Sequence, residues 1–189
     1  MTVNIILFGP PGAGKGTQAK NLEKKLDNYQ VSTGDMLRDE IKKESEIGKK
    51  IISYMNDGRF VADEIVNNLM KKVIFDPSKK GRLIFDGYPR TLDQAKNLET
   101  WLTESNQKID FIFFLNVNKK TIIERIEKRK IIEKRSDDDL ETILKRYDTY
   151  METTKPVLDY YSSKSVFNEI DGGLKIAEIT SKINNILNV

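Results

Sequence analysis

Apolar positions along this chain cluster into short runs, and longer amphipathic stretches separate them. Val3 to Phe8 is an apolar, β-branched run; similar runs stand at Arg82 to Phe85 ("RLIF"), Asp110 to Leu115 ("DFIFFL") and Val166 to Ile170 ("VFNEI"), with a shorter one at Tyr29 to Ser32 ("YQVS"). Runs of this length, apolar on both faces, predict strands of a buried parallel sheet. Between them the apolar spacing becomes helical, over Lys15 to Leu26, Leu92 to Leu102, Lys119 to Lys130, Leu140 to Tyr161 and Lys175 to Leu187. Strands alternating with helices predict an α/β fold, with helices on both faces of the sheet. Pro77-Ser78 and Gly172-Gly173 read as turns. With 189 residues and no repeat, low-complexity tract or long linker, residues 1–189 are expected to form one domain.

Composition narrows the chemistry. Charged residues make up 32% and hydrophobic residues 38% of the chain, which suits a soluble globular protein. The net charge is +3 with both signs interspersed, so no one-sided basic excess points to nucleic acid. Cysteine and histidine are both absent. Thiolate nucleophiles, cysteine zinc sites and histidine bases are therefore excluded, leaving Lys, Arg, carboxylates, hydroxyls and backbone to do any chemistry. The opening "MTVNIILFGPP" is too short an apolar run to span a membrane and lacks a basic leader, so the expected location is the cytoplasm.

The stretch "LFGPPGAGKGTQ", Leu7 to Gln18, lies between the first strand and the first helix. Gly9, Gly14 and Lys15 fit a phosphate-binding loop, in which backbone N–H groups and a helix N-terminus face phosphate oxygens. The next residue is Gly16 where such loops usually carry a hydroxyl for Mg²⁺, and the hydroxyl comes only at Thr17. A carboxylate elsewhere is then needed beside the ion. Asp86, at the end of "RLIFDGYPR", is the candidate; its other reading is a turn cap. Lysines outnumber arginines 24 to 8, so the arginines are candidates for roles that need a planar fork. Arg125 and Arg129 share a helix face, and Arg135 and Arg146 flank the start of the next helix. Taken alone, these four also read as a solvated surface.

The loop "GPPGAGKGTQ", together with "STGDMLR" (Ser32 to Arg38) and "LIFDGYPRTLDQ" (Leu83 to Gln94), resembles the signatures of nucleoside monophosphate kinases, and most closely those of the adenylate kinase family in its short-lid form. The order and spacing of the three agree along almost the whole chain. The resemblance implies a P-loop fold with a five-stranded parallel sheet, a helical AMP-binding insert at about residues 32–61 and a short lid at about 129–136. It implies phosphoryl transfer from Mg-ATP to AMP, with no zinc expected.

Residue roles follow from the same resemblance. Gly12, Ala13, Gly14, Lys15, Gly16 and Thr17 would hold the ATP phosphates, with Arg125 against the adenine and Arg129 beside it. Thr33, Gly34, Arg38, Arg59, Phe60, Val61, Gly87, Tyr88, Arg90 and Gln94 would form the AMP site, joined by Arg135 and Arg146. Lys15, Arg90, Arg129, Arg135 and Arg146 would act on the transferring group. Asp86 would serve Mg²⁺ through water, Asp137 and Asp138 would hold the lid arginines, and Asp35 would be structural. Thr33 and Gln94 favour AMP over UMP or CMP, because the amide of Gln94 offers a donor and an acceptor to the edge of adenine. Thr33 also reads as a helix N-cap, a duty that Ser32 could share. The implied protein is a cytoplasmic monomer whose partners are ATP, AMP and ADP, without nucleic acid or membrane. Two rivals stand beside this reading. One is a UMP/CMP kinase or a GTP-using relative. The other is a regulatory ATP-binding module, which would need Lys15 and Asp86 but not Arg38, Arg90 and Gln94.

Overall fold

The computed structural model describes residues 2–133 and 139–189, with backbone alone for Ile132 and Glu133. Five strands form one all-parallel sheet: β1 (Ile5–Phe8), β2 (Tyr29–Ser32), β3 (Leu83–Asp86), β4 (Phe111–Asn116) and β5 (Phe167–Asp171). Their spatial order is β2-β3-β1-β4-β5. The helices are α1 (Lys15–Leu26), α2 (Thr33–Lys42), α3 (Glu46–Asn56), α4 (Asp63–Ile74), α5 (Leu92–Glu104), α6 (Lys119–Glu133), α7 (Leu140–Thr149), α8 (Lys155–Ser162) and α9 (Ile176–Leu187). Among the described residues, no helix is long and apolar enough to cross a membrane.

Alternation along the strands divides the core in two, because successive side chains point to opposite faces. Ile6, Phe8, Leu83, Phe85 and Ile112 pack with α2, α3, α4, α5 and α8. Ile5, Leu7, Ile84, Phe113 and Leu115 pack with α1, α6, α7 and α9. The central strands β1 and β3 are buried along their whole length because both their faces are covered, whereas the edge strands β2 and β5 carry polar, partly exposed positions.

One expected helix is broken. The stretch from Leu140 to Tyr161 keeps its apolar spacing, but the α-helix stops at Thr149. A wider π-turn over Tyr150–Thr154 follows, and α8 resumes at Lys155. Pro156 stands in the first turn of α8. Its ring lacks an N–H and clashes with the carbonyl four residues back, so a continuous α-helix cannot pass through it. The strands otherwise differ from their expected spans by a residue or two. At the start of β4, Asp110 stays outside the strand and its carboxylate accepts from the Asn4 backbone N–H at 2.9 Å.

Candidate active site

Strand register sets the site. Leu7 of β1 and Ser32 of β2 are both paired with Asp86 of β3, so three strands end at one level. The loop after β1, the start of α2 and the turn after β3 therefore emerge side by side. This is the carboxyl edge of the sheet, where the chain reverses across β1 and ligands bind in open α/β folds.

A cavity of about 730 Å³ opens at this edge. Every site residue expected from the sequence that lies within the described part lines it, from the glycine loop through Thr33, Arg38, Phe60 and Gln94 to Arg125, Arg129 and Arg146. Arg135, Asp137 and Asp138 lie outside the described residues, as do residues 134–136 of the expected lid; residues 129–133 are the last turn of α6.

The glycine loop ends at Gly14, which N-caps α1 with φ of +98°. Glycine adopts this left-handed conformation without steric cost. Gly14 supplies no side-chain cap, and the first turn of α1 holds no acid, so its N–H groups face the cavity with the helix's positive end. Lys15 Nζ donates to the Gly9 carbonyl at 2.7 Å and the Pro10 carbonyl at 3.0 Å. Burial pushes the Lys15 ammonium down to about 8; Asp86 opposes this, while Arg90 and Arg129 add to it. Position 16 faces Asp86: a Cβ built on Gly16 would stand 3.4 Å from Asp86 Oδ2. That oxygen also accepts from Gln30 Nε2 at 3.2 Å. Asp86 is only 9% exposed, so the carboxylate is a fixed, inward-facing oxygen donor and not a surface turn cap.

On the other side of Asp86 the site is built from side chains. Ser32, not Thr33, caps α2, accepting from the Asp35 N–H at 3.3 Å. Thr33 Oγ1 instead donates to the Gly87 carbonyl at 2.8 Å, tying α2 to the turn after β3. Gly87 has φ of +77°, and a Cβ there would come within 3.0 Å of both Thr33 Oγ1 and an Arg90 guanidinium nitrogen. Arg90 Nε donates to the Gly87 carbonyl at 2.8 Å, and its guanidinium lies over the Phe60 ring at 4.7 Å. Burial lowers the Arg90 guanidinium to about 10, helped by Arg146 and Arg38 and opposed by Asp86. At that value it is still charged at neutral pH.

The remaining arginines differ in setting. Arg38 pairs with Asp35, three residues before it on α2, at 2.5 Å. Arg125 reaches across the glycine loop, donating to the carbonyls of Ala13 and Leu174 at 3.3 Å each. Arg59 lines the cavity, but its guanidinium is paired with Asp57 at 2.8 Å and lies 4.5 Å from the Tyr54 ring centre. Arg129 and Arg146 act electrostatically on Lys15 and Arg90 respectively. The cavity thus holds two groups of cationic side chains, Lys15 with the glycine loop and Arg90 with Arg38 and Arg146, with the Asp86 carboxylate acting on both.

Several participants were missed in the sequence. Asp63 on α4 accepts from Thr91 Oγ1 and Gln94 Nε2, each at 2.6 Å. Asn67, one turn later, accepts from the Tyr88 hydroxyl at 2.8 Å. Thr154, in the π-turn, donates to the Arg90 carbonyl at 3.2 Å. In the sequence Asp63 reads only as an acid at a helix start, where it also suits the dipole.

Comparison with known proteins agrees with the geometry. A family model described as adenylate kinase matches residues 7–166. The adenylate kinase of Pelagibacter ubique is 46% identical over 213 aligned positions, covering 99% of this chain and 100% of its own length. That of Mycoplasma mycoides is 40% identical, covering 92% of this chain and 100% of its own. The adenylate kinase of Porphyromonas gingivalis is 39% identical, covering 98% of this chain and 95% of its own.

Proposed function

The chain belongs to the adenylate kinase family, and we propose that it moves the γ-phosphoryl group of ATP to AMP, forming two ADP reversibly. The observation that carries this reading is the single cavity with two anion-binding halves. One is the glycine loop with Lys15, the other the Arg38–Arg90 side, and Asp86 lies between them.

The donor half would take the ATP phosphates on the N–H groups of residues 12–17 and on Lys15. Arg125, lying over the loop backbone, would flank the adenine. The acceptor half would hold the AMP phosphate between Arg38 and Arg90, with Phe60 and Val61 walling the base and Gln94 reading its edge. A phosphate oxygen of AMP then attacks the γ-phosphorus. One P–O bond forms as the bridging P–O bond to the ADP leaving group breaks. The AMP phosphate attacks as a dianion, so no proton need be removed, which suits a chain without histidine. Catalysis of this kind is positioning and charge stabilisation. Lys15, Arg129, Arg146 and, from beyond the described residues, Arg135 are the groups we assign to that charge.

Asp86 fits a divalent ion: a carboxylate is the hard oxygen donor that Mg²⁺ prefers, and Gly16 places no side chain between it and the phosphate loop. Mg²⁺ held there with the ATP phosphates would withdraw charge from their oxygens. The reading includes an insert at about 32–61, a short lid at about 129–136 and a cytoplasmic monomer acting on free nucleotides.

A coupled assay of ADP formation from Mg-ATP tests the proposal, with AMP, UMP, CMP and GMP supplied in turn. Rapid turnover with AMP alone is expected. Turnover mainly with UMP or CMP would overturn the base assignment, and none with any monophosphate would leave only ATP binding.

A further inference from the structure

We propose that Asp63 is a specificity-determining positioning residue: it locks the amide of Gln94 in the one orientation that matches a 6-amino purine. The inference rests on the proposal that Gln94 reads the acceptor base.

Gln94 is 2% exposed, and both ends of its amide are held. Oε1 accepts from the Arg90 backbone N–H at 2.7 Å, and Nε2 donates to Asp63 Oδ1 at 2.6 Å. A backbone N–H can only donate, and an ionised carboxylate can only accept. Between these two neighbours the amide has one satisfied orientation. Turning it over would set its oxygen against the carboxylate and its NH₂ against the Arg90 N–H. Both contacts would be lost at a buried position, where unpaired polar groups are costly.

Asp63 is itself held. Its second oxygen accepts from Thr91 Oγ1 at 2.6 Å, and Thr91 Oγ1 accepts from the Gln94 N–H at 3.2 Å. The three residues close a ring in which every donor has a direction. Asn67, on the same face of α4 as Asp63, accepts from the Tyr88 hydroxyl. Two side chains four apart on α4 thus grip the turn between β3 and α5.

The lock leaves Gln94 with one N–H and one oxygen lone pair. That is the complement of adenine, whose ring N1 accepts and whose 6-amino group donates. Hypoxanthine has the inverse pattern, with an N1–H donor and a 6-oxo acceptor, and would require the turned-over amide. Discrimination of AMP from IMP would therefore reside in a carboxylate that does not touch the base.

The test is steady-state kinetics with AMP and IMP on Asp63→Asn and, separately, Asp63→Ser. Each replacement can both donate and accept, so each removes the Asp63 half of the lock and leaves only the Arg90 N–H to oppose the turned amide. The expected result is a fall of about tenfold or more in the AMP-to-IMP ratio of kcat/KM, carried by KM for the monophosphates, with KM for ATP unchanged. Equal losses for AMP and IMP, leaving the ratio at its wild-type value, would mark Asp63 as merely structural and overturn the proposal. Gln94→Ala separates the two layers. If it leaves kcat/KM for AMP unchanged, Gln94 does not read the base. If it lowers that value while Asp63→Asn keeps the ratio, only the lock fails.

Discussion

The donor and acceptor halves of the cavity are built in different ways. The donor half is a local device: consecutive residues 9–17 bring loop, helix end and lysine together, and the groups facing the ligand are mostly backbone. The acceptor half is assembled from α2, α4, the turn after β3 and the π-turn before α8. It is held by side-chain hydrogen bonds such as Thr33 to Gly87, Gln94 to Asp63 and Thr154 to Arg90. Backbone N–H groups recognise phosphates without regard to the base attached to them. A side-chain network can present one donor–acceptor pattern and reject its inverse. On the proposed function, this difference would put discrimination on the acceptor side.

Substitution can break this comparison, and the largest effect is expected at Lys15. Lys15→Met should reduce kcat/KM by ~10³–10⁵, the range that a charge on the transferring phosphoryl group is worth in related chemistry. The loss should be the same with every accepted monophosphate. A loss that depended on the acceptor base would mean that the halves are not separable.

Gly87→Ala strikes the acceptor half alone. A left-handed non-glycine residue costs on the order of 1–3 kcal/mol, and the new methyl would press on Thr33 and Arg90. Denaturant unfolding should show that loss, and KM for AMP should rise while KM for ATP holds.

Alkaline pH should act in the opposite sense, on the donor half. Lys15 titrates at about 8 in the folded protein against an ordinary 10.5. Between these values the unfolded chain keeps a proton that the folded one has lost. By linkage this group's contribution makes stability rise with pH across that window. Binding moves the other way: at pH 9 the free site keeps only about a tenth of its ammonium charge, so kcat/KM for ATP should fall about tenfold from pH 7. Arg90, at about 10, stays charged at pH 9 and should leave KM for AMP nearly unchanged. Paired pH profiles in the two substrates would check this.

The smallest effect is expected from Thr33→Val. It removes the donor to the Gly87 carbonyl, worth about 1 kcal/mol, and should raise KM for AMP roughly fivefold without altering kcat.

Legibility in the sequence follows the same division. The glycine loop could be read as a loop because its parts are consecutive and the spacing is the chemistry. The arginines stood out because this chain otherwise uses lysine. Asp63 could not be read. It meets Thr91 and Gln94 across 28 and 31 residues, a pairing set by how α4 packs and by no local pattern. Thr33 was ambiguous until Ser32 was seen to take the cap. The break between α7 and α8 had a visible sign in Pro156, but the apolar spacing continued through it and suggested one helix. The centre of the sheet was readable because both faces of β1 and β3 are buried, which leaves continuous apolar runs; the edge strand β2, polar at Gln30 and Ser32, gave the weaker signal.

The sheet that carries both halves is also a partition. The helices packed on one face serve the acceptor side (α2, α3, α4, α5 and α8), while α1, α6, α7 and α9 fill the other. Each layer meets its own set of strand side chains, so the sequence of one layer can drift without disturbing the packing of the other. Chimaeras that exchange residues 33–104 between relatives, moving Asp63, Arg90 and Gln94 together, should therefore be tolerated, and the exchange would carry acceptor selectivity as a heritable module.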